Sequence, residues 1–161
     1  MKVNDFAKQK WVSKFMSGWC VTGKMMKFWR QRVAASFPRC NCKVKDVDHV
    51  LLCPAVEAVM EWNSSLENVR AWMDANTSCP NLSKSVMHAL SRFKSGGDIV
   101  LQKDMLFDGV KRVFKAQSAI GWRLFLDVCL STEWARVQQQ YLTWMGSRKL
   151  EVRWVVGLIN Q

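Results

Sequence analysis

Long apolar runs are missing from this 161-residue chain. No stretch of 18 or more consecutive apolar residues occurs, which excludes a membrane-spanning helix of ordinary length. The N-terminus also lacks the continuous apolar core that a secretory signal peptide needs. We therefore expect an intracellular protein, in the nucleus or the cytoplasm, that has no membrane partner.

The residue groupings of common catalytic sites are missing as well. A polymerase needs paired aspartates in a strand-turn setting to hold Mg²⁺, but the closest acidic pair, Asp46 and Asp48, lies between lysines and a histidine. A hydrolytic triad needs a histidine beside a nucleophile and an acid, and neither His49 nor His88 has such a companion motif. Residues 94–97 contain two glycines without the spacing of a phosphate loop. We predict a protein that is not an enzyme and has no small-molecule substrate.

Sustained period-two alternation of apolar residues is absent, so we predict an all-α fold of short helices with a small Cys/His knuckle loop and no sustained strands. Apolar stripes at helical spacing predict helices over residues 55–75, 81–94 and 132–145. Asp98 is the expected N-cap of a further helix that carries Ile99, Leu101 and Val113. An apolar content of 49% with nine Trp provides enough material for one core.

Acidic residues are scarce at one end of the chain. Residues 1–45 contain eleven Lys or Arg and a single acid, Asp5, and so carry +10 of the total net charge of +11. Such a concentration of like charge repels itself unless a polyanion binds, and nucleic acid is the most common cellular polyanion. The alternative is a solvated basic face that only aids solubility. We predict RNA or DNA as the partner.

Aromatic side chains alternate with these cations over residues 5–16 and 24–33, in patterns that suit short amphipathic helices. Cations for phosphates and flat rings for bases are what single-strand binders use, although rings at this spacing can equally be core anchors. The candidate nucleic-acid-binding residues are Lys8, Lys10, Lys14, Lys24, Lys27, Arg30, Arg32, Arg39, Lys43 and Lys45.

Four potential metal ligands lie within fourteen positions, in the order Cys40, Cys42, His49 and Cys53. Two or more thiolates with a histidine form the ligand set of a tetrahedral structural Zn²⁺, and His49 and Cys53 are one helical turn apart. The single residue between Cys40 and Cys42 is less usual than a gap of two. Two interpretations stay open: a zinc knuckle, or reduced and buried thiols packed beside a histidine.

Short matches along most of the chain resemble the region that follows the reverse transcriptase domain in retroelement polyproteins of microalgae and related unicellular eukaryotes. In that family a knuckle of Cys-Pro-x-Cys, then His and Cys-Pro, precedes a Trp-rich helical tail. The matching residues are Thr22 to Met26; Pro38, Arg39, Cys40, His49, Leu52, Cys53 and Pro54; Ile120, Gly121, Trp122 and Phe125; Ser131, Trp134, Gln138 and Tyr141; and Gly146, Ser147, Arg148, Arg153, Trp154, Leu158 and Ile159.

The resemblance implies a knuckle domain associated with a reverse transcriptase, and it also exposes two departures. Phe37 stands where the family has its first knuckle cysteine, so Cys42 would have to replace that ligand or the site has decayed. The family's tail continues beyond the point where this chain ends, which predicts a fragment truncated at its C-terminus. The expected domains are a basic aromatic helical segment over 1–36, the knuckle over 37–54 and a helical domain over 55–161.

Two functions from different classes follow. The first is a non-catalytic nucleic-acid-binding accessory domain of a retroelement reverse transcriptase, whose binding is electrostatic and largely independent of sequence. The second is a helical protein-interaction or scaffold domain that packs on other parts of a polyprotein, or a decayed fragment without activity. Confinement of charge to one end favours the first, and an apolar C-terminal stripe of Leu150, Trp154, Leu158 and Ile159 favours the second.

Overall fold

The computed structural model of the protein describes residues 14, 17, 22–34, 36, 40, 46–102, 107–127, 129–146, 154, 155, 157 and 158. Seven helices have their bounds within these residues, and no strand occurs among them, which confirms the predicted all-α class. The helices are α1 (Gly23–Phe28), α2 (Val47–Leu52), α3 (Val56–Ala75), α4 (Pro80–Lys94), α5 (Asp108–Ile120), α6 (Trp122–Leu126) and α7 (Thr132–Trp144).

The chain divides into two compact units, unit 1 (Met1–Met60) and unit 2 (Glu61–Gln161), and α3 begins in the first and continues in the second. In the part of the chain that the structure describes, no helix is both long enough and apolar enough to cross a membrane.

Helices α3 and α4 follow the predicted stripes closely. Proline occupies the first position of α4, where its missing N–H costs no hydrogen bond. The helix ends at Lys94, and Gly96 then takes a φ of +66°, a left-handed conformation that glycine adopts without steric cost. Sequence periodicity and local end signals therefore define this helical pair.

The prediction of a helix that begins at Asp98 is wrong. Residues 98–102 are not helical, and α5 begins only at Asp108. Ile99 and Leu101 instead pack from an irregular segment onto a small buried cluster of Ala89, Val110 and Phe114. The ring of His88 also contacts this segment, with Nε2 2.8 Å from the carbonyl oxygen of Val100. Ile99 and Leu101 are therefore partly buried by tertiary contacts rather than by a helix.

The core of unit 2 is built where α5 packs on α6 and α7, and α4 packs on α5 and α7. Trp134 of α7 is fully buried at its centre, and its ring lies edge-on to Trp122 at 6.4 Å and tilted against Phe125 at 5.5 Å. Other buried members are Met73, Cys79, Leu82, Val86, Leu90, Val113 and Val137. Burial of this apolar surface is the main stabilising contribution to the unit.

Two fully buried glutamines, Gln117 and Gln138, tie backbone groups inside this core. Gln138 accepts a hydrogen bond from the backbone N–H of Cys79 and donates one to the carbonyl of Thr77, both at 2.9 Å. Gln117 accepts from the indole N–H of Trp134 at 3.0 Å and also bonds backbone groups of the loop after α6. Each buried amide is thus satisfied, as a polar group in an apolar interior must be.

The described residues of the C-terminal stripe are buried within unit 2. Trp154 and Leu158 belong to its core, and the indole N–H of Trp154 donates a hydrogen bond to Ser78 Oγ at 2.6 Å. Gly157 lies so close to the ring of Trp72 that an added Cβ would overlap it. Leu150 and Ile159 lie outside the described residues. The stripe was predicted to need a partner surface, and for Trp154 and Leu158 that surface belongs to the same unit.

Candidate metal centre and basic helix

Three of the four predicted metal ligands meet in unit 1. Cys40 Sγ and His49 Nε2 are 3.0 Å apart, and the ligand atoms of Cys40, His49 and Cys53 all lie within 4.8 Å of one another. Cys53 is buried with 3% of its surface exposed, whereas Cys40 and His49 are partly exposed. The group could therefore hold a metal ion, with one buried ligand and two ligands nearer the solvent.

Helix α2 positions two of these ligands. Asp46 is its N-cap, and the Asp46 carboxylate accepts a hydrogen bond from the backbone N–H of His49 at 2.9 Å. The helix ends at Leu52, and Cys53 takes an extended ψ of 125° at the C-cap. Pro54 explains this end, because a proline disfavours helical geometry in the residue before it. His49, inside this six-residue helix, and Cys53, directly after its end, are thereby held about one turn apart.

The three ligand atoms lie close enough together to bind one metal ion, and the geometry of a tetrahedral zinc site gives a scale for their separations. Zn–S and Zn–N bonds of about 2.3 Å and 2.0–2.1 Å place the ligand atoms of such a site roughly 3.6–3.8 Å apart. The 3.0 Å between Cys40 and His49 would have to widen by about half an ångström to reach that range. Two thiolates with one imidazole are also the soft and borderline donors that Zn²⁺ prefers over Mg²⁺ or Ca²⁺.

Cys42, the fourth predicted ligand, and Phe37, which stands at the family's first cysteine position, both lie outside the described residues. The two nearby acidic residues, Asp46 and Asp48, are among the described residues. Asp46 caps α2, and Asp48 is exposed in its first turn. The role of Asp46 was missed in the sequence, although an aspartate three residues before a histidine at the start of an apolar run is a recognisable N-cap signal.

The basic segment contains one described helix, α1. Thr22 is its N-cap and accepts a hydrogen bond from the N–H of Met25 at 3.3 Å. Lys24, Lys27 and Phe28 are exposed, and their spacing of three and four residues places them on the same side of the helix. Phe28 has 71% of its surface exposed, so this ring is not a core anchor.

The chain turns sharply after α1. Arg30 has a φ of +57°, and the backbone N–H groups of Gln31 and Arg32 both donate to the carbonyl of Met26. Arg30 and Arg32 are exposed there. The turn therefore keeps two more cations beside the end of the helix that carries Lys24 and Lys27.

The other predicted nucleic-acid-binding residues divide into two groups. Lys14 is exposed in a helical position. The cations outside the described residues are Lys8, Lys10, Arg39, Lys43 and Lys45.

Comparison with known proteins finds no matching protein family, no similar curated protein and no similar solved structure.

Proposed function

We propose that the protein is a non-catalytic nucleic-acid-binding domain whose unit 1 holds RNA or DNA through its phosphates. Affinity would come from cations that displace counterions, and would be largely independent of sequence. The observation that carries the proposal is the exposed group of Lys24, Lys27, Arg30 and Arg32 on and after α1, beside the exposed ring of Phe28. Cations supply phosphate contacts, and a solvent-facing ring offers a stacking surface for a base.

We further propose that Cys40, His49 and Cys53 bind a structural Zn²⁺, with Cys42 as the candidate fourth ligand. The close approach of the three ligand atoms supports this metal, as does the soft donor set. The zinc would stabilise the segment that also contains Arg39, Lys43 and Lys45, because metal binding and folding are coupled in small sites of this kind.

The resemblance in Sequence analysis supports an origin in a retroelement polyprotein, next to a reverse transcriptase, and we propose that context. The alternative of a scaffold domain had one favourable observation, the C-terminal apolar stripe. Since Trp154 and Leu158 are covered within unit 2, that observation no longer favours an external partner.

The test is a salt titration of binding to single-stranded and duplex oligonucleotides of unrelated sequence. We expect log K to fall linearly with log salt concentration for every sequence. Exchange of Lys24, Lys27, Arg30 and Arg32 for Ser should weaken binding on all sequences alike and reduce the slope by about 3–4, if each residue contacts one phosphate.

A matched control is available in unit 2. The pair Lys24→Ser with Lys27→Ser removes two exposed helical lysines, and so does the pair Lys111→Ser with Lys115→Ser on α5. Both pairs lower the net charge by two, and the exposed ion pair of Lys111 with Asp108 is of a type that contributes little. Equal loss of affinity in the two variants would contradict the proposed surface and leave only the overall charge as the cause.

A further inference from the structure

Two cavities adjoin on the surface of unit 2. One of about 830 Å³ and one of about 380 Å³ share Pro80 and Tyr141 in their walls, so they meet at these two residues. Both volumes fall in the range of roughly 300–1,000 Å³ in which proteins bind small organic ligands. Their linings differ in chemistry, and that difference identifies the class of ligand.

The smaller cavity is aromatic. Trp144, Tyr141 and Phe107 line it, and the rings of Tyr141 and Trp144 are 6.1 Å apart with a tilt of 36°. Trp144 is the last residue of α7 and has 79% of its surface exposed, so its ring is accessible to a ligand. Asn81 and Gln140 add side-chain amides, which can both donate and accept hydrogen bonds. Rings with amides at the edge suit a flat heterocycle that has polar groups on its rim.

The larger cavity is cationic and rich in hydroxyl groups. Arg70 and Lys84 line it together with Thr77, Ser83 and Ser91, and Lys84 is exposed. Arg70 is 3.5 Å from Glu67 in an exposed pair, a type of contact that contributes little and that a phosphate can displace. Asp74 also lines this cavity, and its carboxylate would accept hydrogen bonds from sugar hydroxyls. Lysine and arginine beside hydroxyl donors suit a phosphate.

We propose that unit 2 binds a nucleoside phosphate, with the base against Trp144 and Tyr141 and the phosphate at Lys84 and Arg70. The site needs no glycine-rich loop, which explains why sequence motifs gave no sign of it. It is independent of the phosphate contacts proposed for unit 1. A free nucleotide and a single nucleotide of a strand present the same chemistry, and the experiment separates these two sources.

The experiment is a calorimetric titration of the full chain with AMP, adenosine and inorganic phosphate. We expect AMP to bind more tightly than either part. Trp144→Leu should weaken AMP binding by about fivefold to a hundredfold, the range of affinity that stacking of one base accounts for. Trp144→Phe, which keeps an aromatic face, should retain most of it. Lys84→Ser should weaken AMP binding about tenfold and leave adenosine binding unchanged.

Lys115→Ser is the charge-matched control, since Lys115 is exposed and lines neither cavity. The variant with Ser at positions 24, 27, 30 and 32 should bind AMP as the natural chain does, which separates this site from unit 1. If AMP does not bind but Trp144→Leu weakens hexathymidylate binding about tenfold in that four-Ser variant, the ligand is a nucleotide within a strand. The proposal is overturned if neither ligand responds to Trp144→Leu and Lys84→Ser.

Discussion

The described residues of unit 1 and unit 2 differ in how much apolar surface they bury. In unit 2, buried apolar side chains from five helices and two C-terminal residues form one core that includes Trp134. In unit 1, Cys53 is the one buried apolar side chain among the described residues, and it is also a candidate metal ligand. Most of the excess positive charge lies in unit 1, since residues 1–45 contain eleven Lys or Arg and a single acid. A metal ion held by Cys40, His49 and Cys53 would add stability to a unit that carries this much like charge.

Removal of metal gives the sharpest test of that difference. The protein purified under reducing conditions should contain one equivalent of Zn²⁺, and a strong chelator should abolish protection from hydrogen exchange in α2 while α4 stays protected. Structural zinc accounts for an apparent free energy on the order of 10 kcal/mol in small domains, which a six-residue helix cannot replace. His49→Ala should lose the metal in the same way. A metal-free protein with a fully protected α2 would favour the alternative of buried thiols packed beside a histidine.

Trp134→Ala should destabilise unit 2 and leave the metal site of unit 1 intact. Loss of this fully buried ring leaves a cavity at the centre of unit 2 and should lower its free energy of unfolding by about 3–5 kcal/mol. Denaturant unfolding measures the loss, and metal content should stay at one equivalent. Trp144→Ala removes the same side chain from an exposed position and should change the free energy of unfolding by less than about 0.5 kcal/mol. Similar losses in both variants would contradict a core centred on Trp134.

Gln138→Leu separates polar from apolar contributions within unit 2. The change keeps a side chain of similar size but removes the hydrogen-bond partner of the Cys79 N–H and the Thr77 carbonyl. We expect the free energy of unfolding, measured by thermal unfolding, to fall by about 2–3 kcal/mol, because buried backbone groups without hydrogen bonds are costly. Gln139→Leu, the neighbouring residue, removes only an exposed side-chain hydrogen bond to Thr143 and should be nearly neutral. An equally stable Gln138→Leu protein would show that these hydrogen bonds contribute little.

Asp46→Ala should give the smallest change, and in unit 1 alone. Loss of the N-cap of α2 costs about 1 kcal/mol and frees the backbone of His49, which we expect to weaken zinc binding about fivefold in a competition titration. Asp46→Asn keeps an oxygen that can cap the helix and should restore most of the affinity. Asp48→Ala, in the first turn, serves as the control for charge. If Asp48→Ala lowers the zinc affinity as much as Asp46→Ala does, the lost charge rather than the lost N-cap causes the effect.

Much of the fold follows from local sequence. The apolar stripe of α4 forms a helix as predicted, and a proline at its first position and a glycine after its end are local signals of where it begins and ends. The pairing of His49 with Cys53 was also predictable, since positions four apart in a helix lie on the same side. The irregular residues 98–102 were not, because Ile99 and Leu101 fit a helical pattern locally and only a contact with Ala89 and Phe114, distant in sequence, fixes their conformation.

The sequence by itself determined the all-α class, the asymmetry of charge and the set of potential metal ligands, because composition and short-range periodicity carry that information. Only the tertiary structure decided that Cys40 lies beside His49, that Trp154 is covered within unit 2, and that Trp144 and Lys84 line adjoining cavities. Cys40 and His49 are nine residues apart, at a spacing that no helical or strand period relates. The other two features depend on residues that are far apart in sequence. The hydrophobic effect is non-directional, so it drives formation of a core but does not determine which helix faces pack together.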